Sequence, residues 1–267
     1  MPDEPSPAPM PPSPPRTVAV TGSASGIGAA VRRRIERHGD RVIGVDLRAA
    51  DITADLATAA GRARAVHEIH TACGGVLDAL VACAGVGPQT RPRHRIVEVN
   101  YFGALACIDG ALEDLARGES PAAVVISSNG ASLTPPDREL LALLDKDDEP
   151  QSAAHAERLD GATVYGTAKL ALTRQMRRRA QAWAEAGVRL NAVAPGPVDT
   201  PLLTAGLEDA VLGPLIEALP VPIGRRAEPD EIAAAVAFLL HPDNGFVHGS
   251  VLFVDGGSDA LLRPEAI

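Results

Sequence analysis

From Thr17 onward, short apolar runs alternate with stretches whose apolar positions recur at helical spacing. The strand-like runs are TVAV (17–20), RVIGVD (41–46), LDALVAC (77–83), AAVVISS (122–128), VRLNAVA (188–194) and SVLFVDGG (250–257). A helix is expected from about Ile27 to His38, between the first two. Strands separated by helices of this length imply βαβ units. The pattern predicts one α/β domain over residues 16–267, a doubly wound parallel sheet of about seven strands with helices on both faces.

Two stretches break the rhythm. Residues 1–15, MPDEPSPAPMPPSPP, hold prolines and acids without the basic start or apolar run of a signal peptide. They are expected to form an extended, disordered tail outside the fold, with an SH3-type ligand as the alternative. The second stretch runs from Asn129 to Ala162 without a strand signal, long for a connection and therefore a candidate functional segment. Inside it, Arg138–Asp145 reads as a short helix set off by Pro135 and Pro136. Its leucines, Leu140, Leu141, Leu143 and Leu144, need an apolar surface, because so short a helix does not stand alone in water. That surface is a bound substrate, a second subunit or this protein's own body. A substrate lid is the favoured expectation, since the segment joins two parts of the candidate reaction centre.

Composition narrows the partners. The core must be aliphatic, because aromatic residues make up only 3% of the chain against a hydrophobic fraction of 46%. A formal charge of -9 gives no reason to expect nucleic acid or an anionic membrane, and no run is long enough to span a bilayer. Cys73, Cys83 and Cys107 form no CxxC pair and read as small core residues in a reducing compartment. A cytoplasmic protein without a metal site is expected.

The candidate chemistry begins at the first βα junction. In Thr21-Gly-Ser-Ala-Ser-Gly-Ile-Gly28, Gly22 permits a tight turn, Gly26 lets backbone approach a pyrophosphate and Gly28 allows close helix–strand packing. The helix N-terminus would add N–H groups and partial positive charge. Taken alone, such a turn serves structure as readily as phosphate; its place between strand and helix favours the phosphate. Asp46, ending the second strand, is placed to accept ribose hydroxyls and to repel a 2′-phosphate. Asp55 is a weaker candidate for an adenine amine. Further on, Tyr165 and Lys169 stand at i, i+4 on a helix, one face carrying a phenol and an ammonium. A nearby cation favours phenolate; moving the phenol from about 10 to about 7 takes on the order of 4 kcal/mol.

The ordered set TGSASGIG, Asp46, CAG (83–85), Asn100 in VNYFG, ISS (126–128), YGTAK and APGPVDTP resembles the short-chain dehydrogenase/reductase family from Thr17 to the C-terminus. The resemblance implies a Rossmann fold and an NAD(H)-dependent oxidoreductase interconverting alcohol and carbonyl. It makes Tyr165 the acid/base, Lys169 the group that lowers its pKa and binds ribose, and Ser128 the group that orients the substrate oxygen. Asn100 would kink a helix and hold a water linking Lys169 to solvent. Cofactor contacts are implied at Ser25, Ile27, Leu56, Cys83, Ala84 and Gly85. Pro195, Gly196, Val198 and Thr200 would lie along the nicotinamide. Choosing Ser128 over Ser127 rests on the family pattern. The chain departs from it at Cys83, where an Asn is usual, and in the length of the 129–162 segment.

Those departures, with GVGPQT (85–90), AGVRLN, TPLL and GRRAEP, are similar to the bacterial 3α-hydroxysteroid dehydrogenase/carbonyl reductase subgroup. A steroid or similar bulky alcohol and a homodimer or homotetramer are then expected. An aromatic, coniferyl-type alcohol dehydrogenase and a non-catalytic NAD(H)-binding regulator are the alternatives.

Overall fold

The computed structural model describes residues 15–266; the proline-rich tail expected over 1–15 lies outside them except for Pro15. Seven strands form one parallel sheet. They are β1 (Thr17–Thr21), β2 (Arg41–Asp46), β3 (Ile52–Thr53), β4 (Ala79–Ala82), β5 (Ala122–Ile126), β6 (Arg189–Pro195) and β7 (Val251–Val254), in spatial order 3-2-1-4-5-6-7. The short β3 had no run of its own in the sequence pattern; it pairs through Val45–Ile52 and Asp46–Thr53.

The strands are apolar on both sides because both faces are covered. Along β1, Val18 and Val20 enter one apolar cluster and Ala19 the other; along β5, Ala122, Val124 and Ile126 separate likewise from Ala123 and Val125. One face is covered by α1 (Gly26–Arg37) and, near the chain end, by α12 (Pro229–Leu240), which pack on each other. Ala30, Val31 and Ile35 bury one stripe of α1, leaving Arg33 and Arg37 in solvent. The opposite face carries α2 (Ala59–Cys73), α4 (Ala104–Leu115) and α8 (Gly161–Arg178). The turn α3 (His94–Val97) runs into α4 through a π-helical stretch, Glu98–Gly103.

Between β5 and α8 lie three short helices, α5 (Gly130–Leu133), α6 (Arg138–Leu144) and α7 (Glu149–Ala156). The expected helix is α6; its start is fixed by Asp137, whose Oδ1 accepts from the Leu140 N–H at 2.7 Å, one residue beyond the two prolines. Leu140 and Leu144 are fully buried against Val164, Ala168 and Leu172 of α8 and their neighbours. Of the three surfaces open to these leucines, the protein's own body is the one used. The remaining helices are α9 (Ala180–Glu185), α10 (Pro201–Leu207), α11 (Leu212–Glu217) and α13 (Ser258–Leu262). Among the described residues, no helix is long and apolar enough to cross a membrane.

Candidate active site

Strand order reverses between β1 and β4, so the loops leaving their C-terminal ends diverge and open a crevice. A cavity of 1080 Å³ fills it, running from the end of β2 across the glycine turn to α8. Gly22 makes the turn at φ +70°, and a Cβ there would stand 2.8 Å from Ala84 Cα in the loop after β4. That loop is tied to β1 by the Cys83 and Ala84 N–H groups, which donate to Thr21 Oγ1 at 3.1 and 3.0 Å. Cys83, Ala84 and Gly85 line the cavity, and burial pushes the Cys83 thiol up to about 12.

Ser25, Gly26 and Ile27 bring the N-terminus of α1 to the cavity wall. The Ser25 side chain does not cap the helix and its first turn holds no acidic residue, so nothing internal neutralises its N–H groups. Gly28 is different. It lies beneath the turn, where a Cβ would collide with the Gly22 carbonyl, and it does not line the cavity. Gly28 acts through packing, because the helix presses directly on the glycine turn.

Asp46 stands at the far end of the crevice, its Oδ2 accepting from Ala24 N–H at 2.9 Å and its Oδ1 from Leu47 N–H at 2.7 Å. Asp55 and Leu56 line the same end. The Asp55 carboxylate accepts from Arg95 at 3.2 Å and from Ala57 N–H at 3.0 Å, so part of its capacity is already taken.

The other end holds Ser128, Tyr165 and Lys169 together. Ser127 turns into the core, hydrogen-bonded to Thr173 Oγ1 at 2.7 Å. The Ser128 Oγ accepts from Gly130 N–H at 3.1 Å and stands with Tyr165 around Gly130 on the cavity wall, whereas Ser127 is tied to Thr173. Lys169 is buried, with its Nζ donating to the Ile126 carbonyl at 2.8 Å and lying 6.0 Å from the Tyr165 ring centre. Burial pushes the Tyr165 phenol up, opposed by the hydrogen bond from Ser128. Burial brings Lys169 down to about 8, with the neighbouring Cys83 acting in the opposite direction.

Asn100 does not line the cavity. It lies fully buried in the π-helical stretch, accepting from Val86 N–H at 2.8 Å and donating to the Val86 carbonyl at 2.9 Å. Pro195, Gly196, Val198 and Thr200 line the wall opposite α1. The Thr200 hydroxyl donates to the Val198 carbonyl at 3.1 Å and accepts from Leu203 N–H at 3.3 Å as the cap of α10.

A family model described as short chain dehydrogenase matches residues 16–138, and one described as Enoyl-(Acyl carrier protein) reductase matches 151–259. The 3-alpha-hydroxysteroid dehydrogenase/carbonyl reductase of Comamonas testosteroni is 46% identical over 251 residues, 92% of this chain and 98% of that one. The chain belongs to the short-chain dehydrogenase family. It is thereby an oxidoreductase. A crystal structure of a 3-alpha-hydroxysteroid dehydrogenase from Pseudomonas sp. B-0831 complexed with NADH matches with a TM-score of 0.91 at 46% identity, covering 94% of this chain and 100% of that one. A coniferyl-alcohol dehydrogenase from Pseudomonas sp. HR199 is 31% identical, covering 91% of this chain and 96% of that one.

In this short-chain dehydrogenase the cavity continues beyond Tyr165 under a cover that sequence reasoning assigned elsewhere. Leu202 and Leu203 from α10 and Leu212, Leu215 and Ile216 from α11 line it, facing Pro88 and Gln89. The Gln89 Nε2 bridges the gap by donating to the Leu202 carbonyl at 3.1 Å. The expected lid over 129–162 reaches the cavity only at its ends, through Asn129, Gly130, Thr134 and Ala162. The lid expectation is thus corrected, because the leucines of α6 are consumed by the core. The leucines of TPLL and of the helix that follows were the available signal for this cover. Arg95, also on the cavity wall, was missed as well; Arg48 lines the wall too.

Proposed function

We propose that this dehydrogenase uses NAD(H) to interconvert the alcohol and ketone of a bulky alicyclic substrate of the hydroxysteroid kind, as a cytoplasmic homodimer. The observation carrying the reading is the single cavity that joins Asp46, the α1 N-terminus and Tyr165, then continues under aliphatic side chains. Tyr165 is the only aromatic residue lining it among the described residues, which favours a saturated ring system over a stacked aromatic one. The two relatives at 46% identity, named for 3-alpha-hydroxysteroid dehydrogenase activity, support the same class.

The residues fit a dinucleotide. The uncapped N–H groups of α1 suit a pyrophosphate and Asp46 suits ribose hydroxyls. Leu56, Ala84 and the half-engaged Asp55 would hold the adenosine, while Pro195, Gly196, Val198 and Thr200 would hold the nicotinamide end. Bound, the cofactor accepts or delivers a hydride at the substrate carbon. The chain's own work is to move the proton. Ser128, already accepting from Gly130, directs its hydroxyl proton toward the substrate oxygen, and Tyr165 Oη gives or takes the proton there.

In the chain alone, burial outweighs any lowering of the Tyr165 pKa. In this reading Lys169 lowers it together with the positive charge of an oxidised nicotinamide. Lys169 has two N–H bonds left after Ile126 and offers them to ribose. Asn100 clamps the Val86 turn. Its amide accepts from the Val86 N–H and donates to the Val86 carbonyl, which fixes the loop that follows Gly85.

The test is NADH formation from NAD with a panel of steroid and aromatic alcohols, repeated with NADP. Turnover of steroid alcohols is expected. NAD should be favoured by about tenfold or more in kcat/KM, because a 2′-phosphate about 4 Å from Asp46 faces roughly 4 kcal/mol of repulsion, partly offset by Arg48. Turnover confined to aromatic alcohols would overturn the substrate class; equal cofactor use would overturn the role of Asp46.

A further inference from the structure

The inserted segment reaches the far end of the cavity through one buried arginine. Arg62, in the first turn of α2, is 8% exposed. Its guanidinium donates to the Leu56 and Ala57 carbonyls at 3.3 and 3.4 Å, and through its other amino group to Glu149 Oε2 at 2.6 Å. Glu149 opens α7 inside the insertion. Leu56 is pressed from the other side by the π-helical stretch: a Cβ on Gly103 would meet Leu56 Cβ at 3.0 Å and its carbonyl oxygen at 3.2 Å. The turn carrying Asp55 and Leu56 is therefore held between two rigid partners, and one is an arginine whose charge is balanced from the insertion.

We propose that Glu149 is a positioning residue for the cofactor site, acting through Arg62 to fix the Asp55–Ala57 turn against which adenosine packs. The inference rests on the dinucleotide reading of the cavity. Its physical basis is the cost of an unpaired buried charge. Without Glu149, the Arg62 guanidinium is driven toward solvent or toward Glu98, which faces the same cluster from the π-helical stretch. Either movement withdraws its hydrogen bonds from Leu56 and Ala57. The turn then keeps the Arg95–Asp55 contact, the packing of Leu56 against Gly103 and its local bonds but loses its fastening on the α2 side, and binding must re-order that side. The segment between β5 and α8 is in this view a strut for the cofactor rather than a cover for the substrate.

The test compares Glu149→Ala, Glu149→Gln and a control, Asp145→Asn. The control loosens the same insertion at its other fastening, where Arg178 donates to both Asp145 oxygens at 2.7 and 3.2 Å. NADH dissociation constants are read by fluorescence titration, and amide hydrogen exchange over residues 54–58 is followed without cofactor. Glu149→Ala is expected to raise the NADH dissociation constant about fivefold or more and to speed exchange in the turn. Glu149→Gln, which keeps an acceptor, should show a smaller change in both. The kcat at saturating NADH should stay within roughly twofold, the split expected of lost ground-state binding. Unchanged exchange and affinity in a folded Glu149 variant overturn the proposal. So do equal effects from Asp145→Asn, which indicate general loosening. If Glu149→Ala does not fold, Glu149→Gln decides by the same two readings. A wild-type chain that does not bind NADH defeats the cofactor reading, and exchange in the turn still decides the strut.

Discussion

At Tyr165, burial and hydrogen bonding pull the phenol in opposite directions, and burial prevails in the chain by itself. A proton-transfer role therefore depends on the hydroxyl itself and not on packing. Tyr165→Phe keeps the ring in place and should lower kcat by about 10²- to 10⁴-fold with NADH affinity nearly unchanged. Retention of a third of the wild-type kcat would contradict the role. Lys169 gives an independent check on burial. Its folded value of about 8 lies below the ordinary 10.5, so between those values the unfolded chain binds more protons. Stability of the cofactor-free protein should gain from this group as pH rises from about 8 toward 10.5, with the full burial penalty present below about 8. Urea unfolding of wild type and Lys169→Met across that range isolates the effect. The difference between them should change with pH, and parallel curves would refute the depressed value.

At the scale of elements, the insertion follows the ordinary logic of amphipathic helices. Leu140 and Leu144 are fully buried in the core formed with α8, each contributing about 1.5–3 kcal/mol by removal from water. Leu144→Ala should destabilise the protein by about 2–5 kcal/mol in denaturant unfolding while leaving KM for large and small ketones alike. A rise in steroid KM at unchanged stability would restore the lid. The cover formed by α10 and α11 has the opposite character: Leu202 and Leu215 are 38% and 61% exposed while lining the cavity. Low burial of this kind marks an element able to move with substrate.

For the whole molecule, the uneven distribution of apolar surface bears on assembly. The strand β7 is one of the two edges of the sheet; Phe253 on it, Phe246 before it, Leu261 and Leu262 after it and Phe238 of α12 are exposed. The outer face of α8, by contrast, is covered by the insertion, with Asp137 N–H donating to Thr167 Oγ1 at 3.0 Å and Arg178 paired with Asp145. A homodimer through the β7 side is the expected state. Light scattering should give twice the chain mass of 27.6 kDa for wild type and the single mass for Phe246→Asp. A tetramer, or a dimer indifferent to Phe246, would count against this face.

What the sequence determined by itself was whatever short spacing encodes. Apolar runs separated by helical stretches gave the parallel sheet, and the glycine turn marked the place where the crevice opens. The i, i+4 pair Tyr165 and Lys169 put two functional groups on one face, because a helix repeat is a local property. The two-residue β3 was too short to carry a pattern. Tertiary structure alone decided the rest. Helical spacing states that the leucines of α6 need an apolar surface; only the packed chain makes that surface α8 instead of a substrate. Asp55 was legible as a candidate carboxylate, but its pairing with Arg95, forty residues away, was not. Gly28 belonged to the right motif and lies under the turn, since the close approach of helix to turn leaves no room for it to face the cavity. The contact between Arg62 and Glu149 joins positions 87 residues apart, and no local periodicity specifies a side-chain pairing over that separation.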